Sequence, residues 1–166
     1  MEKETVFSSQ IKYVGVFSLK DYYQFCYDWL TEQISLTLVE KKYGEKLNKD
    51  AKDIDIEWTA SRKVTDYFKF ELEIKYKIIA LKNVEIVQNN AKIKTNQGEV
   101  KLMLKGNLIR DYDGKFEKDS FRKFLRSIYE KWIIASRVEQ FEDNLAGECD
   151  EFLNQAKAFL DLEGKK

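Results

Sequence analysis

Among the side chains that could carry acid–base, nucleophilic or metal chemistry, this 166-residue chain lacks the most versatile one. The sequence contains no histidine, which is the side chain best suited to proton transfer near neutral pH and the commonest transition-metal ligand. Ser-His-Asp triads, Cys-His pairs and histidine-based metal sites are therefore excluded. Acid–base catalysis would need a carboxylate, Lys, Cys or Tyr with a shifted pKa. No such group stands out by its spacing, so we expect no catalytic residue, no cofactor and no metal site, and an enzyme is the least favoured class of function.

The two cysteines, Cys26 and Cys149, lie in unrelated segments and lack the spacing of metal ligands. Cys26 falls on the apolar face of a predicted helix, and no histidine is available to activate its thiol. We expect it to pack in the core as a small hydrophobic side chain. A short secreted scaffold would normally carry more cysteines, so a reducing, intracellular setting is the simpler interpretation.

Acidic residues cluster between Arg110 and Asp119, and such a cluster raises the question of a calcium loop. An EF-hand loop needs glycine at its sixth position and glutamate at its twelfth. Counting from Asp111 places Gly114 fourth and Arg122 twelfth, so the spacing fails. We predict instead a glycine-bearing turn that leads into a helix.

Charge and hydropathy limit the partners that the chain can have. Charged residues make up 35% of the sequence, but the 29 basic and 29 acidic side chains cancel. The protein as a whole therefore has no electrostatic attraction to nucleic acid or to an anionic membrane. The first ten residues lack the apolar run of a signal peptide, and no segment approaches ~18 uninterrupted apolar residues. We expect a soluble cytoplasmic protein with no nucleic-acid partner and no membrane insertion.

Alternation of apolar and polar residues predicts a sheet. From Asp53 to Ala60, and again from Phe68 to Ile78, one parity is apolar and the other is largely charged, which is the pattern of half-buried strands. Turns at Asn89–Asn90 and Asn96–Gly98 are expected to separate three further strands. The remaining predicted strands are 10–18, 34–44 (a strand or a strand-like connection), 84–88, 91–95 and 99–109. The result is an antiparallel meander with one apolar face and one charged face.

Two helices are predicted beside this sheet. Ser18 has the chemistry of an N-cap, and apolar residues then recur at helical spacing as far as Leu30. A second amphipathic pattern runs from Phe121 through Trp132 to Leu162 and would span roughly 60 Å as one rod, whereas six strands make a sheet about 25 to 30 Å across. Either the helix breaks at Asn144–Gly147 and folds back, or it projects and a second chain covers it. A continuous helix in a dimer or larger oligomer is slightly favoured, because a lone glycine costs a helix only about 1 kcal/mol.

The C-terminal part of this helix carries an apolar stripe that could seat a partner helix. Several of its side chains recur at heptad spacing. The predicted interface residues are Val138, Phe141, Leu145, Phe152 and Phe159. From Arg137 to the C-terminus, eight acids outnumber four bases, and this charge is poorly suited to an anionic bilayer. A protein partner, a second copy of the chain or the protein's own sheet is the favoured cover.

The order strand, helix, antiparallel meander and long C-terminal helix, with the helical pattern from Phe121 onward, resembles the helix-grip fold of the START, pollen-allergen and polyketide-cyclase superfamily (SRPBCC). In that superfamily a curved sheet wraps a C-terminal helix around an apolar cavity. We predict one α+β domain, in which an antiparallel meander sheet carries one N-terminal helix and has a long C-terminal helix packed on its apolar face. Residues 1–136 would form the sheet-and-helix core and residues 137–166 a helical extension.

Two functions remain open at this stage. In the first, which is favoured, the chain is a non-catalytic binding module for a hydrophobic small molecule or lipid in a helix-grip-like cavity. Inward aromatic residues would line the pocket, and arginines near strand ends would hold a carboxylate or phosphate. The candidates are Tyr13, Trp58, Arg62, Tyr76 and Arg110. A cavity on the order of 300 Å³ or more, bounded by Trp58, Tyr76, Leu104 and the C-terminal helix, would support this function. In the second, the chain is a structural or interaction protein that self-assembles through its C-terminal helix.

Overall fold

Five strands and three helices make up the described part of the chain, which is residues 1–114, 119–129, 131 and 135–164 of a computed structural model. In chain order the elements are β1 (Glu2–Phe17), α1 (Leu19–Asp28) with a π-helical turn (Trp29–Gln33), β2 (Thr37–Asn48), β3 (Ala51–Lys63), β4 (Phe68–Gln88), β5 (Ala91–Arg110), α2 (Ser120–Ile128) and α3 (Ala135–Gly164).

The strands form one sheet in the order β1-β5-β4-β3-β2. Every neighbouring pair is antiparallel. The consecutive strands β2 to β5 therefore form a meander, and β1 closes the other edge beside β5. This arrangement confirms the predicted α+β class with an antiparallel sheet, an N-terminal helix and a long C-terminal helix packed on the sheet.

One face of the sheet is apolar and buried, as the alternation predicts. In β3 the inward parity, which includes Ile54, Ile56 and Trp58, is buried. The same parity of β4 carries Phe70 and its apolar neighbours, also buried. Burying one parity of a strand removes its apolar side chains from water while the other parity keeps its charges solvated. The helices α1 and α3 cover the apolar face.

One of the two predicted turns is confirmed and the other is wrong. Asn89 and Asn90 join β4 to β5 with φ values of 50° and 63°, which asparagine tolerates. The predicted turn at Asn96–Gly98 does not form, and β5 continues through it. Gly98 lies opposite a bulge in β4, where a Cβ on Gly98 would stand 3.1 Å from the carbonyl oxygen of Ile79. This glycine therefore permits close approach of two strands and does not reverse the chain.

Both edge strands differ from the predicted ranges: β1 is much longer, and β2 begins at Thr37 and ends at Asn48 where 34–44 was predicted. β1 pairs with β5 from Glu2 opposite Arg110 to Phe17 opposite Asn96. Only the stretch from Gln10 onward was predicted as a strand. The first part of β1 and most of β2 are exposed. Backbone hydrogen bonds to one neighbour can hold an edge strand even when every second side chain is not buried. Such a strand lacks the alternation from which strands are predicted.

The first helix begins where its cap predicts. The Ser18 hydroxyl accepts a hydrogen bond from the backbone N–H of Asp21 at 3.3 Å, which satisfies one of the free donors of the first turn. Tyr22 and Cys26, one turn apart, are buried on the face that α1 turns toward the sheet. The π-helical turn then buries Leu30 and delivers the chain to β2.

Within the range predicted as one rod, Phe121 to Leu162, the described residues include two α-helices. The first, α2, ends at Ile128, and α3 begins at Ala135; Trp132, which was placed in the same stripe, lies outside the described residues. No break occurs at Asn144–Gly147, so the predicted continuity of the helix through these residues holds. Helix formers on both sides of Gly147 tolerate one glycine.

The axis of α3 runs along the strands and not across them. Cys149 lies against Gly106, which pairs with Phe7 of β1, and Gly164 lies against Tyr13 of the same strand. Between these contacts the helix rises about 22 Å and the strand about 20 Å. The 20 residues of β5 span about 66 Å, longer than the roughly 45 Å of a 30-residue helix. The segment predicted as an extension is therefore part of the one hydrophobic core.

Candidate functional site

The predicted pocket aromatics Trp58 and Tyr76 pack against other rings of the core. Their ring centroids are 4.9 Å apart, and the ring of Tyr22 from α1 lies 6.0 Å from Tyr76. Tyr22 in turn stacks on Phe159 of α3 at 6.0 Å. Leu104 is also buried. The predicted space between these strand residues and the C-terminal helix thus contains the side chain of Tyr22 from α1. The sequence predicted α1 beside the sheet but did not assign Tyr22 to this position.

The predicted arginines are engaged within the chain. Arg62 donates one hydrogen bond to the carbonyl of Ile34 at 2.6 Å and another to Glu148 of α3 at 2.8 Å, and its guanidinium lies 5.0 Å from the ring centre of Phe70. Arg110 contacts Glu4 at 2.9 Å. The Arg62 contact ties α3 to the sheet and the Arg110 contact links β1 to β5. Both occupy groups that would have met a ligand.

Trp58 and Tyr76 are brought together, but the other predicted pocket residues do not all join them. Tyr13 pairs with Val100 and Arg110 pairs with Glu2, so the two positions are about 33 Å apart along β5. The Tyr13 hydroxyl donates to the carbonyl of Val16 at 2.8 Å. Burial, with Asp161 and Glu163 nearby, raises the pKa of Tyr13. Tyr13 lies beside the end of α3 and far from Arg110.

The predicted interface residues are covered within one chain. Val138, Leu145 and Phe152 are buried, and the partly buried Phe141 and Phe159 pack on the same core. The ring of Phe141 lies 5.2 Å from Phe68, and that of Phe159 lies 4.8 Å from Phe25. The stripe therefore needs neither the fold-back at Asn144–Gly147 nor a second chain, because the protein's own sheet and α1 cover it.

A groove that sequence analysis missed opens between α1 and the sheet. Its volume is about 400 Å³. Side chains from α1 and from four strands line it: Leu19, Lys20, Tyr23, Gln24, Tyr43, Lys52, Ile56, Leu81, Asn83 and Asn96. Ile56 and Leu81 are buried and form an apolar floor, whereas Lys20 and Gln24 are exposed at the rim. No sequence motif marks this groove, because its residues come from five separate elements.

Two tyrosines in the groove are held by carboxylates. The Tyr23 hydroxyl donates to Glu40 at 2.8 Å, and the Trp58 indole N–H donates to the same oxygen at 3.2 Å. The Tyr43 hydroxyl donates to Glu45 at 3.0 Å. Burial first, and then the hydrogen-bonded carboxylate, raises the pKa of both tyrosines to about 12. Both phenols therefore stay protonated near neutral pH, and the positions of their rings are constrained.

Asn96 connects α1 to the sheet on the side of the groove opposite the two tyrosines. The side-chain oxygen of Asn96 accepts from the backbone N–H of Leu19 at 3.1 Å, and its amide donates to Asn83 at 3.0 Å. The start of α1 is thereby tied to β4 and β5. Beyond Asn83 and Asn96 a second depression of about 560 Å³ continues along the hairpin. Its lining is mostly polar and lacks a buried apolar floor, so the first groove is the better candidate for a ligand.

Neither cysteine has the surroundings of a nucleophile. Burial is the largest cause that raises the pKa of Cys26 and of Cys149 to about 12. The hydroxyls of Tyr22 and Tyr76 are close to Cys26 and have no hydrogen-bond partner among the described residues, and burial raises the pKa of both. These groups stay protonated, and a protonated thiol is a poor nucleophile.

No group of three or more Cys, Asp or Glu side chains among the described residues has the geometry of a metal site. None of the described helices is long and apolar enough to cross a membrane. No family model, no curated protein and no solved structure matches the chain.

Proposed function

We propose that the chain is a non-catalytic binding module for a small amphipathic molecule, which it takes up in the groove between α1 and the sheet. The observation that carries this proposal is the combination of an apolar floor, formed by Ile56 and Leu81, with aromatic walls and a polar rim. Its volume of about 400 Å³ lies within the range of small-molecule sites.

The rim favours an anionic head group. Lys20 and Lys52 are the charged residues of the lining, and both are cationic. Lys52 lies 3.5 Å from Glu45, so it is shared between that carboxylate and the groove. An alkyl or aromatic body would cover the floor while a carboxylate or phosphate at one end meets the ammonium groups. This chemistry agrees with the hydrophobic ligand or lipid expected from the sequence, at a different place in the fold.

The lining favours binding over catalysis. It contains no carboxylate, cysteine or histidine, and its two tyrosines have pKa values of about 12. A general base near neutral pH would need a pKa close to 7. The resemblance to the helix-grip superfamily remains part of the proposal, with the ligand beside α1 instead of beneath the C-terminal helix.

A groove-filling substitution tests this function. Gln24→Trp places an indole at the exposed rim, where it occupies the groove without disturbing the core. Gln155→Trp, at an exposed position of α3, is the matched control. With a fluorescent long-chain fatty acid as the probe, we expect saturable binding by the parent and the control, and a loss of roughly tenfold or more in affinity for Gln24→Trp. Equal binding by the two tryptophan variants, or no binding by the parent, would contradict the proposal.

The alternative function, self-assembly through the C-terminal helix, has less support. The side chains that would form the seam, such as Leu145 and Phe152, are buried against the sheet of the same chain. A second chain could reach them only if α3 left its own sheet. The binding module is therefore the function that the contacts favour.

A further inference from the structure

Helix α2 is oriented with its apolar face outward. Phe121 is 68% exposed and Phe124 is 60% exposed, and Leu125 and Ile128 are exposed beside them. Their spacing of three, four and seven residues puts all of them on one face of the helix. The other side of the same helix buries Arg126. Because a surface helix normally buries its apolar face, this orientation leaves an apolar surface in need of a partner.

Contacts on the inner side hold α2 in this orientation. Arg126 forms an ion pair with Glu2 at the start of β1. Just after the helix, the ring of Tyr129 lies 5.4 Å from Tyr67 in an edge-to-face contact. At the other end, Asp119 caps the helix by accepting from the N–H of Arg122 at 2.8 Å. The contacts of Arg126 and Tyr129 thus hold the C-terminal half of α2 with its apolar face outward.

The charge on α2 is of one sign. The helix contains Arg122, Lys123 and Arg126 and no acidic residue. Arg122 and Lys123 are exposed; by helical periodicity Arg122 is nearer to the apolar face, and Lys123 lies on the polar side of the helix. In contrast, the residues of α3 from 137 to 164 include eight acids and two bases. The basic charge that is exposed together with apolar side chains therefore belongs to a different surface from the acidic C-terminal helix.

We propose that α2 docks the protein on an anionic lipid surface, with the phenylalanines among the acyl chains and the basic residues at the head groups. An exposed helix with Phe and Leu on one face and basic residues on its polar face is typical of interfacial binding, and each basic residue near an anionic leaflet adds attraction. This inference goes beyond the ligand groove, which lies toward the opposite end of the strands: α2 is tied to Glu2, whereas the groove is lined by Asn96, opposite Phe17.

The size of the surface favours a membrane over a protein partner. The four exposed apolar side chains offer an area on the order of 400 Å², about half of the ~800 Å² that each partner contributes to a standard protein interface. A membrane requires no matching surface of fixed shape, so a small convex helix can insert into it. The exposed basic residues Arg122, which is shared with Asp119, and Lys123 also favour anionic head groups over a second copy of α2.

Vesicle binding of the full chain tests the proposal. The protein is sedimented with vesicles of phosphatidylcholine and phosphatidylserine in equal parts, and separately with vesicles of phosphatidylcholine alone. We expect binding to the anionic vesicles, weakened by salt, and much weaker binding to the neutral ones. Combined Phe121→Ser and Phe124→Ser substitutions should reduce binding by roughly tenfold or more. Lys123→Glu should also reduce it, because it reverses one charge at the surface.

The matched control removes two exposed apolar side chains elsewhere. Leu162, 62% exposed, and Val87, 72% exposed, lie outside α2, and replacing both by serine should leave vesicle binding unchanged. Thermal unfolding without lipid checks that every variant is folded. The proposal is overturned if the parent stays in solution with anionic vesicles, if neutral vesicles bind equally well, or if the phenylalanine variant binds like the control. It is also overturned if light scattering without lipid shows a dimer that the phenylalanine variant dissociates, because a second copy would then cover α2.

Discussion

At the level of single residues, Arg62 acts as a clamp between three parts of the fold. It lies on β3, hydrogen-bonds the backbone of Ile34 after α1, and forms an ion pair with Glu148 of α3. Its guanidinium also lies over the ring of Phe70. Sequence parity placed this arginine near the apolar face, but its partners are groups of the same chain. The planar guanidinium of arginine has several N–H donors and can bind the Ile34 carbonyl and the Glu148 carboxylate at once, whereas the ammonium of lysine is poorly suited to this.

Replacing Arg62 with lysine should therefore lower stability. The lysine cannot hold the carbonyl of Ile34 and the Glu148 carboxylate in a fork, and it loses the stacking on Phe70. We expect a loss of roughly 1 to 2 kcal/mol in the free energy of unfolding, measured by urea denaturation. Arg122→Lys, at an exposed ion pair with Asp119, is the control and should change little. Equal effects of the two substitutions would show that Arg62 has no special role.

At the level of elements, α3 packs closely on β5 at a glycine. A Cβ on Gly106 would stand 2.7 Å from the Sγ atom of Cys149, a distance that real Cβ contacts do not reach. Phe7 and Leu145 also surround the site. The distance between helix and sheet therefore depends on the missing side chain at Gly106, and closely packed interiors transmit such changes.

Gly106→Ala should push α3 from the sheet and cost roughly 1 to 3 kcal/mol of stability, as overpacking does. Cys149→Ala removes the sulfur that the new methyl group would meet. The double variant should therefore recover part of the loss, and the coupling between the two sites is measured by a double-mutant cycle in urea. Gly147→Ala is the control, because a Cβ on Gly147 meets no heavy atom within 4 Å. Additive effects of Gly106→Ala and Cys149→Ala would contradict the predicted contact.

At the level of the whole molecule, the buried thiols and phenols of the core should lower the stability of the fold at alkaline pH. Burial raises the pKa of Cys26 and Cys149 from 9.0 to about 12. It also raises the pKa of the buried Tyr22 and Tyr76 well above 10.0. Since the folded state holds these protons more strongly than the unfolded state, their contribution to stability is complete below about pH 9 and is lost as the pH rises toward 12.

The free energy of unfolding should accordingly fall as the pH rises from about 9 toward 12, as measured by urea midpoints at a series of pH values. Tyr76→Phe removes one buried phenol that has no hydrogen-bond partner among the described residues. The fall should be less steep in this variant than in the parent. Tyr27→Phe, at an exposed ring, is the matched control. An alkaline fall that is equally steep in both variants would mean that Tyr76 does not take part.

The sequence by itself determined those features that depend on near neighbours along the chain. Alternation in β3 and β4 predicts an antiparallel sheet with one buried face, because side chains of a strand point to opposite sides whatever the strand pairs with. The Ser18 cap and the turn at Asn89–Asn90 were predictable because a hydroxyl or an asparagine acts on its own backbone within a few residues. The burial of Cys26 was predictable from the same helical periodicity.

Only the tertiary structure decided which elements meet. The helix predicted from Phe121 to Leu162 was longer than the predicted sheet is wide. In the structure α3 runs along strands that are longer than the helix. This direction depends on contacts such as Cys149 against Gly106. Tyr22 of α1 enters the predicted pocket, and Arg62 finds Glu148. The candidate groove combines residues from five elements for the same reason. Such contacts join residues tens of positions apart, and periodicity within one segment carries no information about the segment against which it will pack.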